Sequence, residues 1–131
     1  MIRVRPIAMA VAALALGGVA QAQAADGKQL FLDNCSACHQ PTGKGIPGAF
    51  PALVSSKIAT GPAIGAATIV LNGKGGMPAF RDDLSDAEIA AVLTYVRASW
   101  GNKAPGMTAG LVAPVRRTGH RENPKAALTA H

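Results

Sequence analysis

Two cysteines and a histidine, in the run Cys35-Ser36-Ala37-Cys38-His39, constrain this chain more than anything else in it. Cys35 and Cys38 are its only cysteines. A disulfide between them would close a tiny loop and remove little entropy from the unfolded chain, so it would be a poor staple. A thioredoxin-type dithiol shares the Cys-x-x-Cys spacing but needs a βαβ context, which this sequence lacks. Half of a zinc site needs further ligands. The remaining histidines, His120 and His131, lie in a loose terminal stretch and are poor candidates. Covalent haem attachment uses all three residues, because Cys-x-x-Cys-His is the attachment pattern of haem c. Each thiol adds to one vinyl group on the porphyrin edge, so the two sulfurs must lie about one helical turn apart. The next residue, His39, is then carried over the haem face, where a ring nitrogen reaches the iron.

Composition points the same way. The chain has three Phe, one Tyr and one Trp against 15 Gly and 9 Pro, few large side chains for an ordinary core. Small domains bury a limited share of their surface and usually need a staple or a cofactor. A haem supplies the missing apolar body.

The iron's sixth position falls to methionine. Beyond Met1 and Met9 only Met77 and Met107 remain. A lone Met is usually core filler. Met77, however, sits in Gly73-Lys74-Gly75-Gly76-Met77-Pro78, where backbone freedom can aim a thioether inward. Met107 stands between Gly106 and Thr108, in the tail. Met77 is the expected ligand, ahead of an open or a bis-histidine iron. With both axial positions filled, oxygen and peroxide have no easy site, and the soft thioether favours ferrous iron. An apolar sheath drawn from Phe31, Ile46, Phe50, Leu53, Ile69 and Phe80 would raise the potential further.

The N-terminus reads as an address. Arg3 and Arg5 precede an apolar run of 14 residues, 7 to 20, and small residues follow in Ala-x-Ala spacing up to Ala24. Basic, apolar, small is the order of a secretory signal peptide. The run is short of the roughly 20 residues that span a bilayer, which disfavours an anchor. The expected organisation is a signal peptide over residues 1–24, a domain over 25–103, and a basic, flexible tail over 104–131. Without the two leader arginines, 11 basic and 7 acidic side chains remain. Four of those basic groups, Arg116, Arg117, Arg121 and Lys125, stand in the tail. They lack interleaved aromatics, so nucleic acid is not expected as a partner.

Three helices are expected between loops. The first spans 27 to 38, with Asp26 as N-cap and Gln29 three residues on. Phe31, Cys35 and Cys38 share a face there. Residues 40–57 read as loop, with Pro41, Gly43, Gly45, Pro47, Gly48 and Pro51. A second helix starts near Pro62 and stops at Gly73. The third opens on Ser85-x-x-Glu88, a capping box, and carries the stripe Ile89, Val92, Leu93, Val96, Trp100. Tyr95 and Trp100 read as packing residues. Beyond Asn102, only Thr108 to Ala113 suggests a helical turn.

These residues together resemble a class I cytochrome c, over roughly Asp26 to Asn102. Gly27 and Phe31 match first-helix positions where the last helix crosses closely. Cys35, Cys38 and His39 match attachment and proximal ligation. Pro51 matches the proline whose carbonyl accepts the proximal histidine's other N–H, and Leu53 the haem-packing leucine two residues on. Met77 matches the distal ligand, and Val92 and Tyr95 the last-helix residues that pack on the first helix and the haem. The stretches 45–53, 72–80 and 84–102 are also similar to cytochrome domains of bacterial membrane-bound alcohol and sugar dehydrogenase complexes, which often carry three haems where this chain has one motif.

The resemblance implies an all-α fold, three main helices with long loops around one haem, and no bond-making chemistry. It implies a periplasmic carrier of single electrons, from a dehydrogenase or quinol-oxidising complex to an oxidase or another cytochrome. Membrane contact would come only through those partners. Lys44, Lys57 and Lys74 around a haem edge would favour a partner with an acidic patch, though they read equally as solvated surface. Two other readings stand beside it: a fixed electron-entry subunit of one complex, and a small haem enzyme or sensor with an exchangeable sixth ligand.

Overall fold

The computed structural model describes residues 24–119. Residues 1–23 of the expected leader and 120–131 of the expected tail lie outside the described residues. Among the described residues the chain is helical, its extended pairing limited to two isolated bridges, Ile46 with Phe50 and Lys74 with Met77.

Helix α1 (Gly27–Asn34) is capped by Asp26, whose carboxylate accepts from the Lys28 and Gln29 amides at 3.0 and 3.2 Å. The Gln29 side chain turns down the helix to Asp33 instead of back to the cap. The expected single helix to Cys38 is broken at Cys35, and α2 (Ser36–His39) follows as a separate turn. At the break the Ser36 hydroxyl donates to the Leu32 carbonyl at 2.7 Å, and such back-bonding favours a bend without forcing one, since Thr94 makes the same bond inside the continuous helix Asp86–Ala98. The break leaves Phe31, Cys35 and Cys38 facing one cavity.

Helix α3 (Lys57–Thr60) is a single turn between the expected loop and the expected second helix, capped by the Ser56 hydroxyl. Helix α4 (Ala63–Asn72) follows, with Pro62 at the cap position and Gly73 ending it in a left-handed conformation (φ 72°). Helix α5 (Asp86–Ala98) opens on the expected capping box, with Ser85 and Glu88 bonded reciprocally. Its stripe of Ile89, Val92, Leu93 and Val96 is buried. The stripe stops there: Ser99 is extended and Trp100 takes a positive φ of 54°, so Trp100 lies beyond the helix.

Helices α1 and α5 cross where Gly27 meets the backbone of α5. A Cβ at Gly27 would come within 2.2 Å of the Ala91 carbonyl oxygen, so only glycine permits this crossing. Phe31 is fully buried beneath it, with Tyr95 and Trp100 against its ring at centroid distances of 5.6 and 5.1 Å.

The chain does not loosen at residue 104. Helix α6 (Ala109–Gly119) packs on α4 and α5, with Val112 and Val115 buried and Met107 buried just ahead of it. The expected flexible tail is therefore corrected for residues 104–119, which complete the core. Arg97 ties this segment down. Buried at 3% exposure, it donates to the carbonyls of Pro105, Ala59 and Gly61 at 2.7, 2.8 and 2.9 Å. Carbonyl dipoles thus replace a carboxylate as its partner.

Candidate functional site

A cavity of about 310 Å³ opens between α1, α2, α4, α5 and the loops that join them. Phe31, Leu53, Ile69, Phe80, Val92 and Leu93 line it. Into the same space come Cys35, Cys38, His39 and Met77. The expected site residues are thus brought together by elements far apart in sequence.

His39 is buried at the end of α2, and its Nδ1–H donates to the Pro51 carbonyl at 2.8 Å. That bond selects the tautomer: with Nδ1 donating, the lone pair remains on Nε2, the nitrogen available to a metal. The loop that brings Pro51 there folds back on the motif, with the Gly45 amide bonded to the His39 carbonyl and the Leu53 amide to that of Gly43. Asn102 secures the same loop from α5's end, donating to Leu53 and Val96 and accepting from the Ser55 amide.

Met77, also lining the cavity, rests in a tight return after α4. The Lys74 and Met77 backbones pair, and the Phe80 amide donates to the Val70 carbonyl at 2.9 Å. Gly73 makes this possible, since a Cβ there would stand 2.5 Å from the Met77 carbonyl oxygen.

Not every expected residue reaches the cavity. Tyr95 does not line it; its ring packs on that of Phe31, which does. Ile46 is 41% exposed and pairs with Phe50 through its backbone, so it leaves the expected sheath. Met107 is buried against α5, where its amide bonds the Thr94 hydroxyl, and does not line the cavity. Lys74 sits at the cavity wall, while Lys44 and Lys57 are exposed. Val96, Ile58 and Ala66 line the cavity too and were not singled out for it. Val96 belonged to the helical stripe, which carries a signal for burial but none for what is buried against it.

The donor set fits a porphyrin iron better than the alternatives. Both cysteines are free thiols. Burial first, and then the neighbouring Cys38, push the Cys35 thiol up to about 11. A redox dithiol needs the opposite, a thiol pKa lowered toward neutrality. Among the described residues no three His, Cys, Asp or Glu side chains cluster as a metal-ion site would require. What remains is a largely apolar cavity lined by one imidazole, one thioether and two thiols, a donor set that suits a large flat apolar group with a central metal.

Fold and cavity together define a c-type haem domain. Residues 22–96 match the family described as cytochrome C oxidase, cbb3-type, subunit III, and the chain belongs to this family of cytochrome c domains, whose cofactor is covalently bound haem c. The chain is 33% identical over 106 residues to the cytochrome c subunit of alcohol dehydrogenase (quinone) from Gluconobacter oxydans, covering 71% of this chain and 22% of that protein. It spans about a fifth to a quarter of the length of the alcohol dehydrogenase subunits it matches. It is 43% identical over 77 residues to cytochrome c6 of Leptolyngbya boryana, covering 57% of this chain and 91% of that one. The solved structure of cytochrome c6 from the diatom Phaeodactylum tricornutum superposes with a TM-score of 0.50 at 35% identity, covering 57% of this chain and 91% of that chain. The class I fold expected from the sequence is thereby shared with a solved relative.

Proposed function

We propose that this protein is a periplasmic carrier of single electrons, with one haem c joined to Cys35 and Cys38 and its iron held between His39 and Met77. The observation that carries the reading is one cavity lined by His39, whose ring is oriented by Pro51 at 2.8 Å, by Met77, by both cysteines and otherwise mostly by apolar side chains. Bound there, haem supplies a ferric–ferrous couple that takes up and releases one electron.

The chain's own residues set the terms of that exchange. Cys35 and Cys38 would hold the haem covalently, each thiol's S–H having added across a vinyl group to leave a thioether. The Nδ1–H bond to Pro51 fixes the His39 ring plane and raises the basicity of Nε2. The Met77 thioether favours the ferrous state and raises the potential. Phe31, Leu53, Ile69, Phe80 and Leu93 keep water from the metal, which acts in the same direction. With His39 and Met77 both holding the iron, oxygen would find no open site, which favours transfer over catalysis.

For partners, the reading takes a dehydrogenase or quinol-oxidising complex as donor and an oxidase or another cytochrome as acceptor. Lys74 at the cavity, with the exposed Lys44 and Lys57, would favour an acidic patch on the partner. Export through the leader of residues 1–24 is part of this reading. The likeness to dehydrogenase cytochrome c subunits supports a second one, in which the chain is a fixed subunit of such a complex. Size exclusion of the native assembly separates them, because a freely monomeric cytochrome counts against the subunit.

A pyridine haemochrome assay with haem staining of a denaturing gel tests attachment, and the methionine–iron absorption band of the ferric protein tests ligation. Met77→Ala is expected to abolish that band, lower the midpoint potential and let the ferrous protein bind carbon monoxide. An unchanged spectrum in this variant means that Met77 is not the ligand, and ready carbon monoxide binding by the wild type argues for a haem enzyme or sensor.

A further inference from the structure

The loop that carries Met77 is fastened at its far end to a helix that does not line the cavity. Arg116, in the last turn of α6, donates through Nε to Asp86 Oδ1 at 2.7 Å and through Nη2 to the Leu84 carbonyl at 2.7 Å. Its Nη1 donates to the Arg81 carbonyl. Arg81 answers with Nη1 to the Arg116 carbonyl at 2.6 Å and Nη2 to Asn72 Oδ1. Each guanidinium therefore grips the other residue's backbone.

The pairing of two cations is sustained by their surroundings. Asp86 neutralises one charge, and the carbonyl of Arg116 is among the last four of α6, which have no partner within the helix. The anchor behind the clasp is firm: Val112 is fully buried and Val115 nearly so, against α4 and α5. Arg81 stands four residues after Met77, with only the Phe80–Val70 backbone bond between the clasp and the Lys74–Met77 pair. Displacing the thioether from an iron requires this segment to swing outward, and the clasp lies across that motion.

We propose that Arg81 and Arg116 are positioning residues for the distal ligand. Their clasp holds residues 77–84 closed over the cavity and so sets how readily an outside ligand displaces Met77. The inference rests on the His39/Met77 reading. An outside ligand binds the open form alone, so its apparent affinity scales with the fraction of loops that are open. Removing a charge-assisted hydrogen bond from the closed form raises that fraction by about tenfold or more.

The test is an imidazole titration of the ferric haem protein followed by its Soret band, beside amide hydrogen exchange at Met77 and Phe80. Arg116→Ala and Arg81→Ala are expected to raise imidazole affinity about tenfold or more, to weaken the methionine–iron band, and to speed both exchanges. Arg117→Ala, on the exposed face of the same turn, removes equal charge and is expected to leave all three readouts unchanged. Should Arg116→Ala fail to accumulate, Arg81→Ala and Arg116→Lys carry the test, since lysine keeps the charge but cannot reach Asp86, Leu84 and Arg81 together. Unchanged imidazole affinity in the clasp variants with the wild-type band intact overturns the clasp alone. An equal rise in Arg117→Ala overturns it in favour of net charge, and a wild-type protein without the band overturns the ligation reading and the clasp with it.

Discussion

Asn102 directs its whole side chain at the backbone on the His39 side of the cavity. Its amide donates to the Leu53 and Val96 carbonyls, each at 3.0 Å, and its oxygen accepts from the Ser55 amide at 2.9 Å. Asn102 itself is buried, at 7% exposure. Asn102→Ala leaves the Ser55 amide without its partner and takes one of two donors from each of the Leu53 and Val96 carbonyls, which keep the Ser56 and Ser99 amides, and it is expected to cost about 2 kcal/mol, read from urea unfolding. A cost below about 1 kcal/mol would mean that the loop finds other partners. Asn102 also shows where a sequence is silent. Cys35, Cys38, His39 and Met77 are legible because each lies in a short local pattern whose chemistry is specific. Asn102 and Arg97 lie in no pattern, and their importance arises from carbonyls 36 to 49 residues away, at Leu53, Ala59 and Gly61. Ile46 misled for the converse reason, since an apolar type beside a haem-packing loop says nothing about which way a backbone bridge turns it.

At the level of elements, local chemistry was read best where a helix start is spelled out. The Ser85/Glu88 box appears as expected, and its bonds to Ser85, backbone first, hold the Glu88 carboxyl below its ordinary value of 4.5. A carboxyl lowered on folding contributes stability above its unfolded value and loses it as pH falls through the folded one. Glu88→Gln is therefore expected to be less stable than the wild type near neutrality. The difference should close in acid, as the carboxyl protonates, and thermal melts of both proteins across pH 3 to 7 (about the carboxylate range) check it. A gap that persists in acid would remove the ionised carboxylate as its source. The elements that sequence did not yield fail for identifiable reasons. Helix α3 is four residues long, below any periodicity, and is made by a Ser56 cap rather than by a pattern. Helix α6 carries Pro114 in its second turn and glycine at Gly110, residues that lower helix propensity, so the sequence suggests no more than one turn at 108–113. Its buried pair, Val112 and Val115, is held by tertiary packing against α4 and α5, which outweighs that propensity.

For the whole molecule, the core and the cavity are one structure seen from two sides. Phe31, Val92, Leu93 and Val96 belong to the buried cluster and also line the cavity. The cluster is thin: Ala59, Ala66, Ala67 and Ala90 are among its members, and Phe31 is its only fully buried aromatic residue among those described. On the cavity's rim, Phe50 and Ile58 are 38% and 53% exposed, apolar surface that a bound ring would cover. Joining the cofactor to Cys35 and Cys38 would thus do more than load a redox centre. It would put a second apolar wall against the side chains that α1, α4 and α5 present to the cavity. Apolar burial contributes about 25 cal/mol per Å², so covering even a modest part of this slot matters against a total stability of about 5–15 kcal/mol. A Cys35→Ala/Cys38→Ala chain, which cannot retain the ring covalently, is expected to unfold at a markedly lower urea concentration than the haem protein. It should also show a shallower transition, because the slope scales with the surface exposed on unfolding and the open cavity has less to expose. Circular dichroism at the helical band measures both quantities in one titration. A double variant with the midpoint and slope of the haem protein would mean that the ring adds nothing to this core, and the slot between His39 and Met77 would then need another occupant.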